Sequence, residues 1–331
     1  MNSFISISKM LFKNSKIFIF WAGAFIGLFL WLGIIDYIKD KPVPNAIFSQ
    51  SILDAKITAV QNLDRAPRVF FVGGSNVLFG VDSKQFSEIT KKPALNFGCA
   101  SGMGPELILY HLGHFLNHGD TVVMRWEYGH YGFSRSGEVN LTYLNLIAGS
   151  QSKFKASLPW LDQFRLDMSI PFAHAREAFC THFNSYVSPE IYRCNWIIDE
   201  LGNIRNNVGS KLDAEIERES HHGIMNFNGL SSDAKDIFCH FIDHCRRKGI
   251  KILVSWPNIL DHTKYHDSNK AKECFSGIQS FWEAQDIKVV GSAYDYMFSV
   301  NLFYDTKYHL NSKGIETCTK LLAQQIVPFI E

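Results

Sequence analysis

The sequence predicts an α/β fold, a three-layer sandwich with a mostly parallel central sheet, preceded by one transmembrane helix. Three observations carry that expectation. From residue 67 onward, short apolar runs rich in β-branched and aromatic residues alternate with stretches of helical periodicity, the pattern of a sheet covered on both faces. The first two apolar runs end in glycine, at Gly73-Gly74 and at Gly98. Near the N-terminus, 19 consecutive residues from Ile17 to Ile35 carry no charge and are nearly all large and apolar.

At about 1.5 Å per residue that uncharged run matches the hydrocarbon thickness of a bilayer. It is long for the apolar region of a cleavable signal peptide, and Asp36-Tyr37-Ile38-Lys39 follows it instead of a small-x-small cleavage site. An uncleaved anchor over 17–38 is expected. Lys9, Lys13 and Lys16 precede the run, and Lys39 and Lys41 follow it. The excess of basic residues before the run places residues 1–16 in the cytoplasm and the C-terminal domain outside, periplasmic or extracellular. An inward-facing domain is the rival arrangement. Residues 39–66, opened by Lys41-Pro42-Val43-Pro44, read as a stalk.

Strands are expected at 68–72, 93–97, 121–126, 250–256 and 288–290, the fourth stopped by Pro257. Helices are expected at 106–117, 233–248, 274–284 and 312–329, the last capped by Asn311 or Ser312. Between about 129 and 222 the alternation fails. That polar and aromatic stretch reads as an insertion in a single domain over 67–331, with one helix at 161–179.

Composition narrows the function. Lys and Arg total 33 and Asp and Glu total 32, so there is no basic field for nucleic acid. The seven cysteines include no C-x-x-C pair, which removes a zinc ribbon. Most read as small buried hydrophobes, while Cys180 and Cys194 are placed to bridge if the domain is exported. His240 and His244 have the i, i+4 spacing of zinc ligands but lack the accompanying Glu. No metal and no cofactor are expected.

The chemistry-bearing residues gather at strand ends, where open α/β sheets bind ligands. Val72-Gly73-Gly74-Ser75-Asn76 places a serine hydroxyl just beyond the first strand, with glycines that permit a sharp turn and close substrate approach. Asn96-Phe97-Gly98-Cys99-Ala100-Ser101 ends the second strand with small residues whose N–H groups can face a carbonyl. Taken alone, the first reads more readily as an ordinary strand-to-helix turn, and the second is also compatible with a tight turn. Before the last helix, Asp305-Thr306-Lys307-Tyr308-His309 offers an imidazole as general base and a carboxylate to orient it. Asn258, after the fourth strand, either lines the same cleft or caps a turn.

In this order the three blocks resemble the SGNH (GDSL-like) hydrolase superfamily: Gly73-Gly74-Ser75-Asn76 its nucleophile block, Asn96-Phe97-Gly98 its glycine block, and Asp305 to Gly314 its acid–base block. Tyr308-His309-Leu310-Asn311, together with the single N-terminal helix, is similar to a membrane-anchored branch that includes the D-alanyl transfer protein of teichoic acid synthesis and the alginate and peptidoglycan O-acetyltransferases. The resemblance implies a serine esterase or O-acyltransferase that moves acetyl or another small acyl group to or from a cell-envelope polysaccharide, with a multi-pass membrane acyltransferase as a possible partner. Ser75 would be the nucleophile, His309 the base and Asp305 its orienting acid. The N–H groups of Ser75 and Gly98 would hold the oxyanion, with Asn76 beside them. Trp160, Tyr186, Tyr192 and Trp196 are either a sugar platform or core. Two departures stand out. Glu127 occupies the place of the family's oxyanion asparagine, and Asp305 lies four residues before His309 rather than three. They motivate the alternative of an inactive protein that keeps the fold and binds a glycan or a membrane acyltransferase.

Overall fold

The computed structural model describes residues 2–38, 44–63, 67–135, 141–183, 198–205, 207–209, 222–225 and 227–330. Among the described residues there are seven strands: β1 (Val69–Gly73), β2 (Ala94–Gly98), β3 (Thr121–Arg125), β4 (Lys251–Ser255), β5 (Ile259–Leu260), β6 (Lys288–Val290) and β7 (Met297–Phe298). Helices of eight residues or more are numbered α1 (Asn2–Ile38), α2 (Pro44–Asn62), α3 (Ser83–Thr90), α4 (Gly104–Gly113), α5 (Leu141–Gly149), α6 (Trp160–Phe183), α7 (Ser232–Lys248), α8 (Asn269–Ala284) and α9 (Ser312–Ile330).

Five strands form one sheet in the order β2-β1-β3-β4-β6, and every pairing is parallel. Every residue of β1, β2 and β3 is buried, which is why these strands read as continuous apolar runs rather than alternating ones. The register puts Gly73 opposite both Gly98 and Arg125, so three strands end at one level. The expected α/β sandwich is present, with the doubly wound, flavodoxin-like strand order.

Local chemistry sets the helix ends. Asp82 accepts from the Lys84 and Gln85 N–H groups to start α3, and Ser231 accepts from Ala234 to start α7. α7 ends at Gly249, whose φ of 66° is left-handed. α4 stops at Gly113, short of the expected 117, because Asp120 draws the chain into a turn by accepting from the Asn117 N–H at 2.8 Å. Asn311 caps α9 by accepting from the Gly314 N–H at 3.0 Å.

The stalk expectation is corrected. Residues 44–62 form α2, which buries Ile52, Leu53, Lys56, Ala59 and Val60 on one helical face against the β2 edge and α5. The Lys56 ammonium lies among the Asn96 carbonyl (2.9 Å), the Asn96 Oδ1 (3.3 Å) and the Gly202 carbonyl. The inserted region also joins the main body. Tyr143, Leu144, Leu146 and Ile147 of α5 enter the common core, and the Asn96 N–H of edge strand β2 donates to Leu201 O at 3.0 Å. The side chains of Cys180 and Cys194, and Tyr186, Tyr192 and Trp196, lie outside the described residues.

Among the described residues, one helix is long and apolar enough to cross a membrane: Ser15–Ile34 within α1, 20 residues of mean hydropathy 2.3, with no fully buried residue in its apolar window.

Candidate active site

β1 is flanked by β2 on one side and β3 on the other, so successive connections leave it in opposite directions. The crevice that this reversal opens at the carboxyl ends is where doubly wound sheets bind ligands. Ser75 leaves β1 there and opens a one-turn helix, Ser75–Leu78. The two glycines before it are dictated by close approach. A Cβ on Gly73 would lie 2.3 Å from the Arg125 carbonyl, and one on Gly74 would lie 2.7 Å from both Glu127 Oε1 and His130 Cε1.

Glu127 arrives from the end of β3, and its carboxylate collects three donors. Oε1 accepts from the Ser75 hydroxyl at 2.8 Å and the Asn76 N–H at 3.0 Å, and Oε2 accepts from the Ser101 hydroxyl at 2.7 Å. His130, one turn on, places Nε2 3.0 Å from the Ser101 carbonyl. Burial of Glu127 opposes its charge, but the His130 imidazole and the donors from Ser101, Asn76 and Ser75 outweigh it and hold the carboxyl below its ordinary value. Glu127 is therefore a carboxylate at neutral pH, acceptor-only, and the serine hydroxyl points its proton at it.

The second half of the site is the loop before α9. Asp305 Oδ1 lies 2.7 Å from His309 Nδ1, which leaves Nε2 free to exchange a proton. The four-residue spacing is accommodated because the loop closes on itself: the Tyr304 N–H donates to His309 O at 2.7 Å and the His309 N–H to Thr306 O at 3.2 Å. The imidazole stacks on Phe79 at 4.1 Å with the rings 12° from parallel, and the Leu310 N–H donates to Phe79 O at 3.1 Å. Phe79 in turn donates its N–H to Ser75 O at 2.9 Å. His309 is thus seated one helical turn from Ser75.

The structure brings Ser75, Glu127, Asp305 and His309 to one sheet edge, but in two separate hydrogen-bonded pairs: the Ser75 hydroxyl donates to Glu127 and not to His309. Two expected roles change, those of Gly98 and Asn76, and the open alternatives for Asn258 narrow to one. The Gly98 N–H donates to Asn96 Oδ1 at 2.8 Å and is not offered to an oxyanion. The glycine is needed instead because a Cβ there would sit 2.2 Å from the Leu78 nitrogen. Asn76 is fully buried, with Nδ2 donating to Arg125 O at 2.9 Å, and braces β1 against β3. Asn258 is also buried and donates to Tyr308 O at 2.6 Å, so it holds the His309 loop rather than lining the cleft. Arg125 supports that turn from below by donating to Trp256 O at 2.9 Å.

Ser101 and His130 are neighbours of Glu127 at this edge that the motifs do not announce. A serine three residues past the second strand's glycine, and a histidine three past Glu127, are the available signals. His244 Nε2 lies 3.1 Å from Gly113 O, and no group of three His, Cys, Asp or Glu side chains converges for a metal among the described residues. A cavity of about 770 Å³ lined by Tyr110, Arg135, Phe154, Phe241 and His244 belongs to the helical layer and shares no residue with the Ser75 edge.

No family model matches the sequence, and no curated protein matches it. Among solved structures, the chain is similar to the protein YxiM from Bacillus subtilis, with a TM-score of 0.36 and 10% identity over 79% of this chain. The chain spans 56% of that protein's length.

Proposed function

We propose that the chain is a membrane-anchored serine esterase or O-acyltransferase of SGNH-like type, acting on acyl esters of a cell-envelope polysaccharide with its domain on the exported side. The observation that carries this reading is the Asp305–His309 pair held at 2.7 Å and seated one helical turn from a serine at the sheet's switch point. Rotation about one bond takes the Ser75 hydroxyl from Glu127 towards His309. Ser75 Oγ then bonds to the acyl carbonyl carbon as its proton passes to His309 Nε2. The leaving alkoxide takes that proton, and Asp305 stabilises the transient imidazolium. Water or a sugar hydroxyl completes the cycle by the reverse route. The Ser75 N–H, at the start of its helical turn, faces the developing oxyanion.

A second reading also has an observation behind it. With the Gly98 N–H engaged and a carboxylate beside the serine, oxyanion stabilisation is weakened. That favours a protein that keeps the fold and binds an acylated glycan, or a membrane acyltransferase, without turnover.

A fluorophosphonate probe applied to the detergent-solubilised full chain separates the two. Labelling of wild type that Ser75→Ala removes is expected. A folded wild type that stays unlabelled supports the binding protein. A membrane-impermeant version of the probe, applied to spheroplasts, reports the side: labelling without lysis is expected.

A further inference from the structure

Helix α6 has two apolar faces, and the protein covers only one. Leu166 and Ile170 are buried against the domain. Trp160, Leu161, Phe164, Met168 and Phe172 are exposed, at 73, 47, 59, 42 and 67%. At 100° per residue these five side chains fall within an arc of about 120° on the opposite side of the helix. Outside α1, the exposed large apolar side chains of the described residues are Ile47, Ile89, Val208, Tyr294, Val300 and these five. Half of them therefore share one face of one helix, which is a patch rather than scatter.

The patch is continuous with the helix of membrane length. The Phe172 ring packs on Trp31 at 4.5 Å, and Trp31 lies near the far end of Ser15–Ile34. From Phe172 the stripe runs twelve residues to Trp160, about 18 Å along the helix. Asp162, Gln163, Asp167 and Ser169 fill the flanks between the two faces, and Arg165 borders the exposed arc with its guanidinium largely in solvent. An apolar arc that ends in a tryptophan and is bordered by arginine is the pattern of a helix lying in the headgroup region of a bilayer.

We propose that α6 beds its Trp160–Phe172 face into the headgroup–acyl boundary of the same bilayer that α1 crosses. This rests on the reading of α1 as a membrane anchor. The occupant is lipid because the face begins where α1 leaves the bilayer, so the first surface it meets is the membrane. α5 packs on α6, on α2 and on the Ser101–Met103 turn that donates to Glu127. Bedding α6 therefore fixes the height of the Ser75 edge above the lipid.

The test uses the full chain reconstituted into phosphatidylcholine/phosphatidylglycerol vesicles, with and without bromine on the acyl chains. The emission difference between wild type and Trp160→Phe isolates Trp160. It is expected to be blue-shifted and lost on bromination. In Phe164→Asp/Met168→Asp the Trp160 signal is expected to escape quenching. With Trp196→Phe added to Trp160→Phe, bromolipid quenching reports Trp21 and Trp31 of α1, because the remaining Trp126, Trp256 and Trp282 are buried in the core. If these are quenched while Trp160 is not, the α6 proposal falls alone and the anchor stands. If none is quenched, the anchor reading falls and takes the proposal with it. A Trp160 that is shielded from acrylamide but untouched by bromolipid points to a protein partner and overturns the lipid assignment, as does quenching that survives the double Asp variant.

Discussion

The Ser75 side of the crevice and the His309 side are built in opposite ways. Ser75, Asn76 and Ser101 converge on a buried carboxylate, and Asn76 and Asn96 tie the same turn to β3 and β2. His309 and Asp305 sit on a surface loop held by a ring stack, one carbonyl bond from Asn258 and the loop's own closure. The Asp305 side chain is 30% exposed and that of His309 14%. On the proposed reading, a rigidly held serine turn faces an adjustable base loop, and the Ser75 hydroxyl has to leave Glu127 to close the proton path. This division also means that substitutions on the two sides should fail differently, one in chemistry and the other in folding.

The largest effect is expected from the loop. If His309 takes the Ser75 proton, His309→Ala should slow fluorophosphonate labelling by about 10²–10⁴-fold, the usual worth of a general base. Asp305→Asn should lose part of that. Thermal midpoints should fall only modestly, since His309→Ala loses the ring stack on Phe79 and the Asp305 carboxylate left behind is 30% exposed and reaches water. An unchanged labelling rate in His309→Ala would break the division and make Glu127 the proton acceptor.

Glu127 should show the reverse balance. Glu127→Ala leaves the Ser75 hydroxyl, the Asn76 N–H and the Ser101 hydroxyl without their acceptor. At about 1–3 kcal/mol for each unsatisfied buried group, and with water recovering some, a loss of about 2–4 kcal/mol is expected in denaturant melts. Glu127→Gln keeps one acceptor oxygen and should lose less. The carboxyl is held below its ordinary value, so its contribution is fully present above the pKa of the unfolded chain and is lost as pH falls through the folded one. Wild type should therefore weaken on acidification more steeply than Glu127→Gln. Parallel acid limbs for the two would show that the carboxylate does not stabilise the Ser75 turn.

The same contrast governs what the sequence reveals. The sheet is legible because strands buried on both faces are written as mostly apolar runs, and the strand at 288–290 matches its expected bounds to the residue. The turns that carry Ser75, Asp305 and His309 are legible because glycines and a helix start mark them. The destination of a hydrogen bond is not written in a motif. The neighbours of Gly98 point to an oxyanion role, yet Asn96, two residues before it, takes its N–H. Glu127 is visibly out of place in the sequence, but its three donors come from two other strand ends that only the register brings level. α2 escapes a reading by pattern although its buried face repeats at helical spacing, because a lysine sits in the middle of that face and the prolines before it suggest a stalk.

That lysine provides the finest probe of the rigid side. Lys56 binds the Asn96 carbonyl and Oδ1, and the Asn96 amide in turn donates to Val77 O at 2.9 Å in the turn that carries Ser75. Burial pushes the Lys56 ammonium from 10.5 down to about 8, against the raising influence of Cys99 and Asp199. The folded chain thus releases this proton at lower pH than the unfolded chain does. Between about 8 and 10.5 the unfolded state binds more protons, so stability should rise with pH across that window and stay level below it. Each tenfold change in proton affinity is worth about 1.4 kcal/mol, and the oxygens that cradle the ammonium hold part of it back, so this is the smallest of the three effects. Lys56→Met removes the titration while filling a similar volume. In melts at about pH 7.5 and about pH 9.5, either side of the folded value, wild type should gain on Lys56→Met at the higher pH. A constant difference would show that the ammonium stays charged in the core, and that the Ser75 side is braced by an ion rather than by a neutral amine.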